Sequence, residues 1–157
     1  MTKNPQEEIS LLSSAKAGLV YLTPNDWALI ADKANRMSFK PSQNIVERGR
    51  RTHGVYLLLK GTAVVHIPTQ ANSPAIGPGE ICGELSFLDD LPASADVSAV
   101  GAVEAYYLDT ATLQALFELF PHLASRFYRS LAANLSRRLR DVIDPKAAPA
   151  KAKSTKV

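Results

Sequence analysis

The stretch from Asn35 to Asp109 most constrains the fold of this chain, because turn-forming residues repeatedly interrupt short apolar or alternating segments. Gly, Pro, Asn and Asp recur about every ten residues, which is the spacing of short strands joined by tight turns. Eight candidate strands lie between these joints: Arg36–Phe39, Asn44–Glu47, Val55–Lys60, Thr62–Ile67, Ala75–Ile76, Glu80–Cys82, Ala95–Val100 and Glu104–Leu108. The pattern predicts an antiparallel barrel or sandwich.

Helical patterns lie on both sides of this region. Thr23-Pro24-Asn25-Asp26 predicts a helix start, because Thr caps, Pro fits the first helical position and Asp completes an acidic capping box. An earlier short helix is expected at about Ile9–Lys16. After residue 109 the apolar period becomes helical, which predicts a short helix over Thr110–Leu119 and a longer one from Pro121 to about Asp144. The expected fold class is mainly β with flanking helices.

The length of 157 residues and the apolar content of 46% describe one globular domain. We expect a helical lead-in over residues 1–22, a domain over 23–144 with its strands at 35–109 and its C-terminal helices at 110–144, and a disordered basic tail over 145–157. The net charge of +3 belongs to that tail, which holds four Lys and no acid. The rest of the chain therefore carries a net charge of −1.

Several classes of protein are disfavoured by what the sequence lacks. Cys82 is the single cysteine, so it cannot form an internal disulfide or a cysteine-rich zinc site. No apolar run approaches the ~18–20 residues that span a bilayer, and Met1–Ser10 is too polar for a secretory signal. We therefore expect a cytoplasmic protein without a membrane segment. No familiar catalytic or metal-binding signature is present, so we expect neither an enzyme nor a metal site.

The long C-terminal helix has an unusually wide apolar face. On a helical wheel its apolar residues fall within an arc of about 160°, and they are Leu123, Phe127, Tyr128, Leu131, Leu135, Leu139 and Val142. Such a face serves either the strands and a second copy of the helix, or one broad core contact. Leu131, Leu135 and Leu139 are the candidate residues for a homodimer or another protein partner.

The basic residues of this helix separate into two groups. Arg126, Arg129, Arg137 and Arg140 cluster opposite the apolar face and are expected to form a solvated stripe. Arg138 lies inside the apolar arc. Its stem either snorkels to water, or its guanidinium meets a buried acidic or phosphate partner.

Ile76–Val100 is the segment richest in functional signals. Gly83-Glu84-Leu85-Ser86-Phe87-Leu88 places a flexible Gly before an acidic residue and a short amphipathic stretch, directly after a candidate strand. Backbone N–H groups converge at such a turn, which makes it an anion-binding candidate.

These residues resemble the cyclic nucleotide-binding domains of the catabolite activator protein family and of protein kinase A regulatory subunits. The resemblance extends over roughly Leu22–Asp141 and rests on several spaced elements. They are Phe39-Lys40-Pro41, Ile45-Val46, Gly49 seven residues before Tyr56, Val55–Gly61, Ile76–Glu80, Gly83–Leu88, Pro92, Leu108-Asp109 and the helix Leu131–Arg140. It implies a jelly-roll-like β-roll with C-terminal helices, and cAMP or cGMP as the ligand.

The resemblance also implies a binding site. Gly83, Glu84, Leu85 and Ser86 match the start of the family's phosphate-binding cassette, where the Glu accepts a hydrogen bond from the ribose 2′-OH and backbone amides hold the cyclic phosphate. The family has an Arg directly after the cassette's Pro, or one position later, and here Ala93, Ser94 and Ala95 follow Pro92. These three residues complete the candidate ligand-binding cassette of seven.

Loss of that Arg removes charge-assisted hydrogen bonds worth roughly 1.5–3 kcal/mol each, or about 10- to 150-fold in affinity. At ~6 Å and an effective dielectric near 20, Glu84 would repel the phosphate by about 3 kcal/mol. Ser94 offers one neutral hydrogen bond. Arg138, Arg48 and Arg50 are the candidates for a substitute cation.

Two functions remain open at this point. The first is a stand-alone, non-catalytic regulatory or adaptor module that acts through contact with an unidentified protein partner. The second is a sensor of a cyclic nucleotide or another small anion. The family's transcription factors continue into a helix-turn-helix, whereas Pro145 and a low-complexity tail follow here, so we expect no sequence-specific DNA binding. Val142 and Ile143 occupy positions where the activators place polar contacts to adenine.

Overall fold

The structure is a computed structural model, and it describes residues 4–15, 17–71 and 73–145. Helices and strands follow the order α1 (Pro5–Ser14), α2 (Pro24–Lys33), β1 (Asn35–Phe39), β2 (Asn44–Val46), β3 (Gly54–Lys60), β4 (Ala63–His66), β5 (Ala75–Ile76), β6 (Ile81–Cys82), α3 (Glu84–Asp89), β7 (Asp96–Ala99), β8 (Val103–Asp109), α4 (Thr110–Leu119) and α5 (Pro121–Ile143). Each of the eight predicted strands is found within one residue of its expected ends.

The strands form two antiparallel sheets of four, ordered β1-β8-β3-β6 and β2-β7-β4-β5. The central strand β3 pairs on both sides, so that Tyr56 lies opposite Cys82 on one neighbour and Tyr107 on the other. This is the mainly β architecture with flanking helices that the sequence predicts, and it is a β-roll.

Two apolar clusters show how the layers stack. One draws on both sheets and includes Leu58, Ala63 and Val97. The other joins the helices to the outer face of the first sheet and includes Leu57 and Phe127. Because side chains alternate along a strand, consecutive residues of β3 serve different clusters. Strand β3 is therefore almost continuously apolar.

Helix α2 begins as predicted. The Thr23 hydroxyl accepts from the backbone N–H of Asp26 at 3.1 Å, and the Asp26 carboxylate accepts from the backbone N–H of Thr23 at 2.9 Å. The side chain of each residue thus accepts from the backbone N–H of the other, which is the reciprocal pattern of a capping box.

Helix α1 differs from its expected bounds of Ile9–Lys16. It starts at Pro5, where Asn4 caps it by accepting from the backbone N–H of Gln6 at 2.9 Å, and it ends at Ser14. Buried Glu8 anchors the helix to the sheet, because it accepts from the Tyr106 hydroxyl at 2.7 Å and pairs with Arg36. Lys16 lies outside the described residues, as does the predicted tail beyond Pro145.

Helix α5 is tied to the chain that precedes the sheets by a polar stripe, which we define as Arg126, Ser130, Asn134 and Arg138. The members are four residues apart, so they lie along one side of the helix. The first three reach back as follows: Arg126 to Asp26 at 2.6 and 2.9 Å, Ser130 to the N–H of Tyr21 at 3.0 Å, and Asn134 to the carbonyl of Gly18 at 3.1 Å.

The prediction of a solvated arginine stripe on α5 is confirmed for Arg129, Arg137 and Arg140, which are exposed, and is wrong for Arg126, which is half-buried. Arg126 pairs with Asp26, the Arg129 guanidinium lies 4.1 Å from the centre of the Tyr21 ring, and Arg137 donates to Asn134 at 3.0 Å. Arg140 is exposed as predicted. Arg126 and Arg129 contact residues of the N-terminal segment, which the helical wheel of α5 alone does not represent.

Candidate functional site

The turn between β6 and α3 is built around Gly83. Its φ is 82°, and a Cβ at this position would lie 3.2 Å from the carbonyl oxygen of Gly54. Residues with a side chain rarely adopt this left-handed conformation. Glycine therefore lets the chain leave the sheet and begin α3 within one residue.

Glu84, the first residue of α3, is the buried charged group of the site. Its side chain is 7% exposed, and its carboxylate accepts from its own backbone N–H and that of Leu85. The Arg138 guanidinium donates to it at 3.3 Å from α5. Burial raises the pKa of Glu84 above its ordinary value, and the opposing effects of Arg138 and the backbone donors reduce that rise without cancelling it.

A cavity opens beside this pair and runs between the two sheets. Its walls come from five strands, the cassette turn, the loop before β7 and helix α5. The residues that line it are Val46, Val65, Ile76, Ile81, Cys82, Gly83, Glu84, Leu85, Ser86, Ala93, Ser94, Ala95, Val97 and Arg138. All seven predicted cassette residues and Arg138 therefore face one space.

Sequence reasoning missed the apolar part of this lining. Val46, Val65 and Val97 stand on β2, β4 and β7, and Ile81 and Cys82 form β6. Alternation along each strand marks these residues as facing inward. It does not separate a residue that fills the core from one that borders a cavity, so the sequence carries no signal for this role.

The loop before β7 closes the far side of the cavity. The Ala93 N–H donates to the Arg50 carbonyl at 2.8 Å, and the Ala93 carbonyl accepts from the Gly49 N–H at 2.9 Å. These bonds hold the backbone of Ala93 against the turn after β2. The lining side chains that follow Pro92 are thus a methyl, a hydroxyl and a methyl.

The three candidate substitute cations are placed differently. Arg50 pairs with Glu47 at 3.2 Å and is largely exposed, and neither it nor Arg48 lines the cavity. Arg138 does line it, and its side chain is 51% exposed. Of the two alternatives for Arg138, the structure shows the acidic partner, because its guanidinium meets Glu84.

The predicted dimer residues of α5 lie at different depths. Leu131 is buried in the domain core and so is unavailable to a partner, which corrects that part of the prediction. Leu135 is half-buried, and Leu139 is exposed. The outer apolar residues at this end of α5 are Leu139, Val142 and Ile143, with exposed fractions of 59%, 68% and 72%.

Comparison with known proteins identifies the type of domain. The family model described as the cyclic nucleotide-binding domain matches residues 36–119, which is more than half of the chain. The chain belongs to the cyclic nucleotide-binding domain family. Its matched region contains both sheets, α3 and α4, together with every cavity-lining residue except Arg138.

Three relatives illustrate the family. A cAMP-dependent protein kinase regulatory subunit of Hypocrea atroviridis is 31% identical over 116 residues, which are 74% of this chain and 23% of that protein. Cyclic GMP-binding protein C of Dictyostelium discoideum is 28% identical over 130 residues, covering 75% of this chain and 5% of that protein. The crystal structure of the Thermus thermophilus catabolite activator protein superimposes with a TM-score of 0.65 at 30% identity, covering 77% of this chain and 57% of that one.

The chain thus spans less than a quarter of the length of these two curated relatives. What it shares with them is a cyclic nucleotide-binding domain of the kind found in regulatory proteins. Within the part of the chain that the structure describes, no group of His, Cys, Asp and Glu side chains is arranged to hold a metal ion. None of the described helices combines the length and apolarity needed to cross a membrane.

Proposed function

We propose that this cyclic nucleotide-binding domain is a non-catalytic regulatory module that acts through protein contact at helix α5, and that its cavity lacks the phosphate-binding arginine of the family. The observation that carries the proposal is the Glu84–Arg138 ion pair, with its 3.3 Å contact. One partner is buried in the cavity wall and the other stands on α5. A change at the cavity therefore acts directly on the helix.

The contact surface of the module is the apolar end of α5, which we define as Leu139, Val142 and Ile143. These side chains are mostly exposed, and they follow the last buried turn of the helix. An amphipathic helix whose apolar stripe continues beyond its own core gains stability when a partner covers it. A second copy of α5 presents the same stripe, so a homodimer is the partner that we propose.

The cavity supports weak binding of a cyclic phosphate. Ala93, Ser94 and Ala95 line the cavity and follow Pro92, where the resemblance implies the family's arginine, and the nearby Glu84 is negative when ionised. Loss of one charge-assisted contact costs about 10- to 150-fold in affinity. Protein contact, rather than tight nucleotide capture, is therefore the output that we assign to the domain.

The carboxylate oxygens of Glu84 couple the cavity to the contact surface. A ligand that donates hydrogen bonds to this carboxylate competes with Arg138 for the same oxygens. Arg138 directly precedes Leu139 on α5. When Arg138 loses its contact with Glu84, the helix turn at the start of the apolar end of α5 is no longer held against the cavity wall. Ligand occupancy thereby alters the partner surface.

Sedimentation equilibrium over a range of protein concentrations tests the contact. We expect wild type to dimerise and Leu139→Glu to sediment as a monomer, because a charge in an apolar contact is costly. The matched control is Leu119→Glu, at an exposed position on α4, which should dimerise like wild type. A wild type that stays monomeric, or a dimer that Leu139→Glu leaves intact, contradicts the proposal.

A second candidate function is a sensor of cAMP or cGMP. The specific observation in its favour is the cassette turn, where Gly83 adopts the left-handed conformation, Glu84 is buried and Ser86 faces the cavity. A thermal-shift titration with each nucleotide tests it, since a ligand at a hundredfold excess over its dissociation constant stabilises by about 2.7 kcal/mol. No shift at millimolar cAMP and cGMP contradicts this second function.

A further inference from the structure

A second cleft lies where the turn before β3, the end of α3 and the start of α4 meet. Its volume is about 400 Å³, and it shares only Ser86 with the cavity between the sheets. All of its lining residues except Ala111 are polar, and they are Arg51, His53, Ser86, Asp90, Asp109 and Thr110. A space of this size admits a small molecule, and its lining favours a polar one.

Hydrogen bonds between the three elements fix the walls of this cleft. The Thr110 N–H at the start of α4 donates to the His53 carbonyl at 2.8 Å. The Arg51 guanidinium donates through Nε to the Asp90 carbonyl at 2.9 Å, at the end of α3. The turn before β3 is therefore tied to both helices, so the cleft is formed before any ligand enters.

The charges of the cleft leave one carboxylate without a counter-charge. The Arg51 guanidinium lies 3.5 Å from the Asp90 carboxylate, and both side chains are at the surface. Asp109 accepts from the Thr112 N–H at 2.7 Å and so caps α4, but it forms no ion pair with a cation among the described residues. Two carboxylates against one guanidinium give a net charge of −1 when His53 is neutral, and Asp109 carries the excess.

Two hydroxyl groups of the cleft lack a hydrogen-bond partner. Ser86 is only 8% exposed, and its hydroxyl forms no hydrogen bond with another residue that the structure describes. The same holds for the half-buried hydroxyl of Thr110. A buried polar group without a partner costs free energy, and a ligand that bonds to it removes that cost. Ser86 is therefore the observation that points to a ligand here.

The charge of the cleft selects a cationic group over an anionic one. The amino end of α4 attracts anions, but the Asp109 carboxylate already occupies that end as the cap. A second anion would face this carboxylate. A primary ammonium group has three donors and no acceptor, which matches one carboxylate and two hydroxyl acceptors. Its hydrogen bond to the carboxylate is charge-assisted and thus stronger than a neutral one.

We propose that this cleft binds a small molecule through a primary ammonium group, which donates to Asp109, Ser86 and Thr110. The site is separate from the apolar end of α5, so the inference goes beyond the proposed function and does not depend on it. The ammonium group belongs either to a simple amine or to an amino acid. In an amino acid the carboxylate would face Arg51 at the mouth of the cleft.

An NMR titration of the purified, ¹⁵N-labelled chain with putrescine, glycine and acetate tests the inference. We expect saturable shifts of the Ser86, Thr110 and Ala111 amides with putrescine, and none at these amides with acetate. Putrescine affinity should fall between about 0.05 M and about 0.5 M salt, because salt screens the attraction to Asp109. Glycine that binds as tightly as putrescine identifies an amino acid as the source of the ammonium group, and weaker glycine binding identifies a simple amine.

Two variants test the acceptors. Asp109→Asn removes the charge but keeps the cap of α4, because Asn caps about as well as Asp. It should weaken putrescine binding at least about 10-fold, the equivalent of one charge-assisted contact. Ser86→Ala should also weaken it, and provides the test if Asp109→Asn fails to fold. The matched control is Asp89→Asn, which removes an exposed carboxylate of α3 outside the cleft and should bind like wild type.

Three results would overturn the inference. They are the absence of saturable shifts at the cleft amides with millimolar putrescine, acetate binding at the same amides as tightly as putrescine, and unchanged putrescine affinity in folded Asp109→Asn. The sedimentation of Leu139→Glu decides the contact role of α5 independently of all three.

Discussion

Arg126 and Asp26 join α5 to α2 through two hydrogen bonds of 2.6 and 2.9 Å, although they lie 100 residues apart in sequence. Asp26 also caps α2 with Thr23, so one buried carboxylate serves both a helix start and a helix–helix contact. Burial alone would raise its pKa, but the hydrogen bonds from Arg126 and Thr23 outweigh burial and hold the pKa below its ordinary value of 3.8.

The first prediction follows from that lowered pKa. A carboxyl group that ionises more easily in the folded state stabilises the fold above its unfolded pKa and loses this contribution as pH falls through the folded value. Arg126→Met should therefore unfold more easily than wild type at neutral pH, and the difference should shrink below about pH 4. Urea unfolding across this pH range measures it, and a difference independent of pH contradicts it.

The second prediction concerns Glu84, whose pKa burial shifts in the opposite direction. The folded state holds this proton more tightly than the unfolded state, so wild-type stability falls as pH rises through and above the ordinary value. Glu84→Gln removes this dependence. The free energy of unfolding of the variant minus that of wild type should become more positive from about pH 4 to about pH 7. A constant difference would show that Glu84 titrates normally.

The third prediction compares two glycines. Gly83→Ala should cost about 1–2 kcal/mol, the usual penalty for a side chain in the left-handed region, and its Cβ would lie close to the Gly54 carbonyl. A Cβ at Gly101 would instead meet open space, with no neighbouring atom within 4 Å. Gly101→Ala should be neutral or stabilising by up to about 1 kcal/mol, because alanine restricts the unfolded chain. Equal effects in chemical denaturation would contradict the role of Gly83.

The fourth prediction concerns the buried amide of Asn134. Asn134→Ala removes its hydrogen bond to the Gly18 carbonyl, which still accepts from the Val20 N–H at 3.0 Å. It also removes the bond that Arg137 donates to Asn134, but Arg137 is exposed and can bind water instead. The expected cost is about 1 kcal/mol, or a fall in Tm of about 2–4 °C for a domain of this size. Ser136→Ala, at a more accessible position on the same helix, should leave Tm nearly unchanged. Matching losses in the two variants would rule out a specific role for this amide.

Local sequence signals predict most of the fold. The Thr23–Asp26 capping box depends on residues three apart, and each strand is marked by a short apolar or alternating run and by the turn residues around it. The predicted start of helix α1 is too late, because the polar Gln6-Glu7-Glu8 run hides its first turn. The Asn4-Pro5 pair is the capping signal that locates its true start.

The contacts that build the candidate site lie beyond the reach of local patterns. Glu84 and Arg138 are 54 residues apart, and Asn134 and Gly18 are 116 apart. The helical wheel places Arg138 correctly on the inner side of α5. The wheel does not predict whether the Arg138 guanidinium reaches water or an acidic partner, because that depends on where the cassette turn meets the helix.

The polar stripe of α5 limits how this helix can move. Its four members engage partners at intervals of one turn, so rotating the helix or sliding it by one residue would break all four contacts together. Opening from the C-terminal end breaks only the Arg138 contact first, and Asn134, Ser130 and Arg126 remain engaged. These contacts therefore resist movement of α5 as a rigid body more strongly than separation of its C-terminal end beyond Asn134.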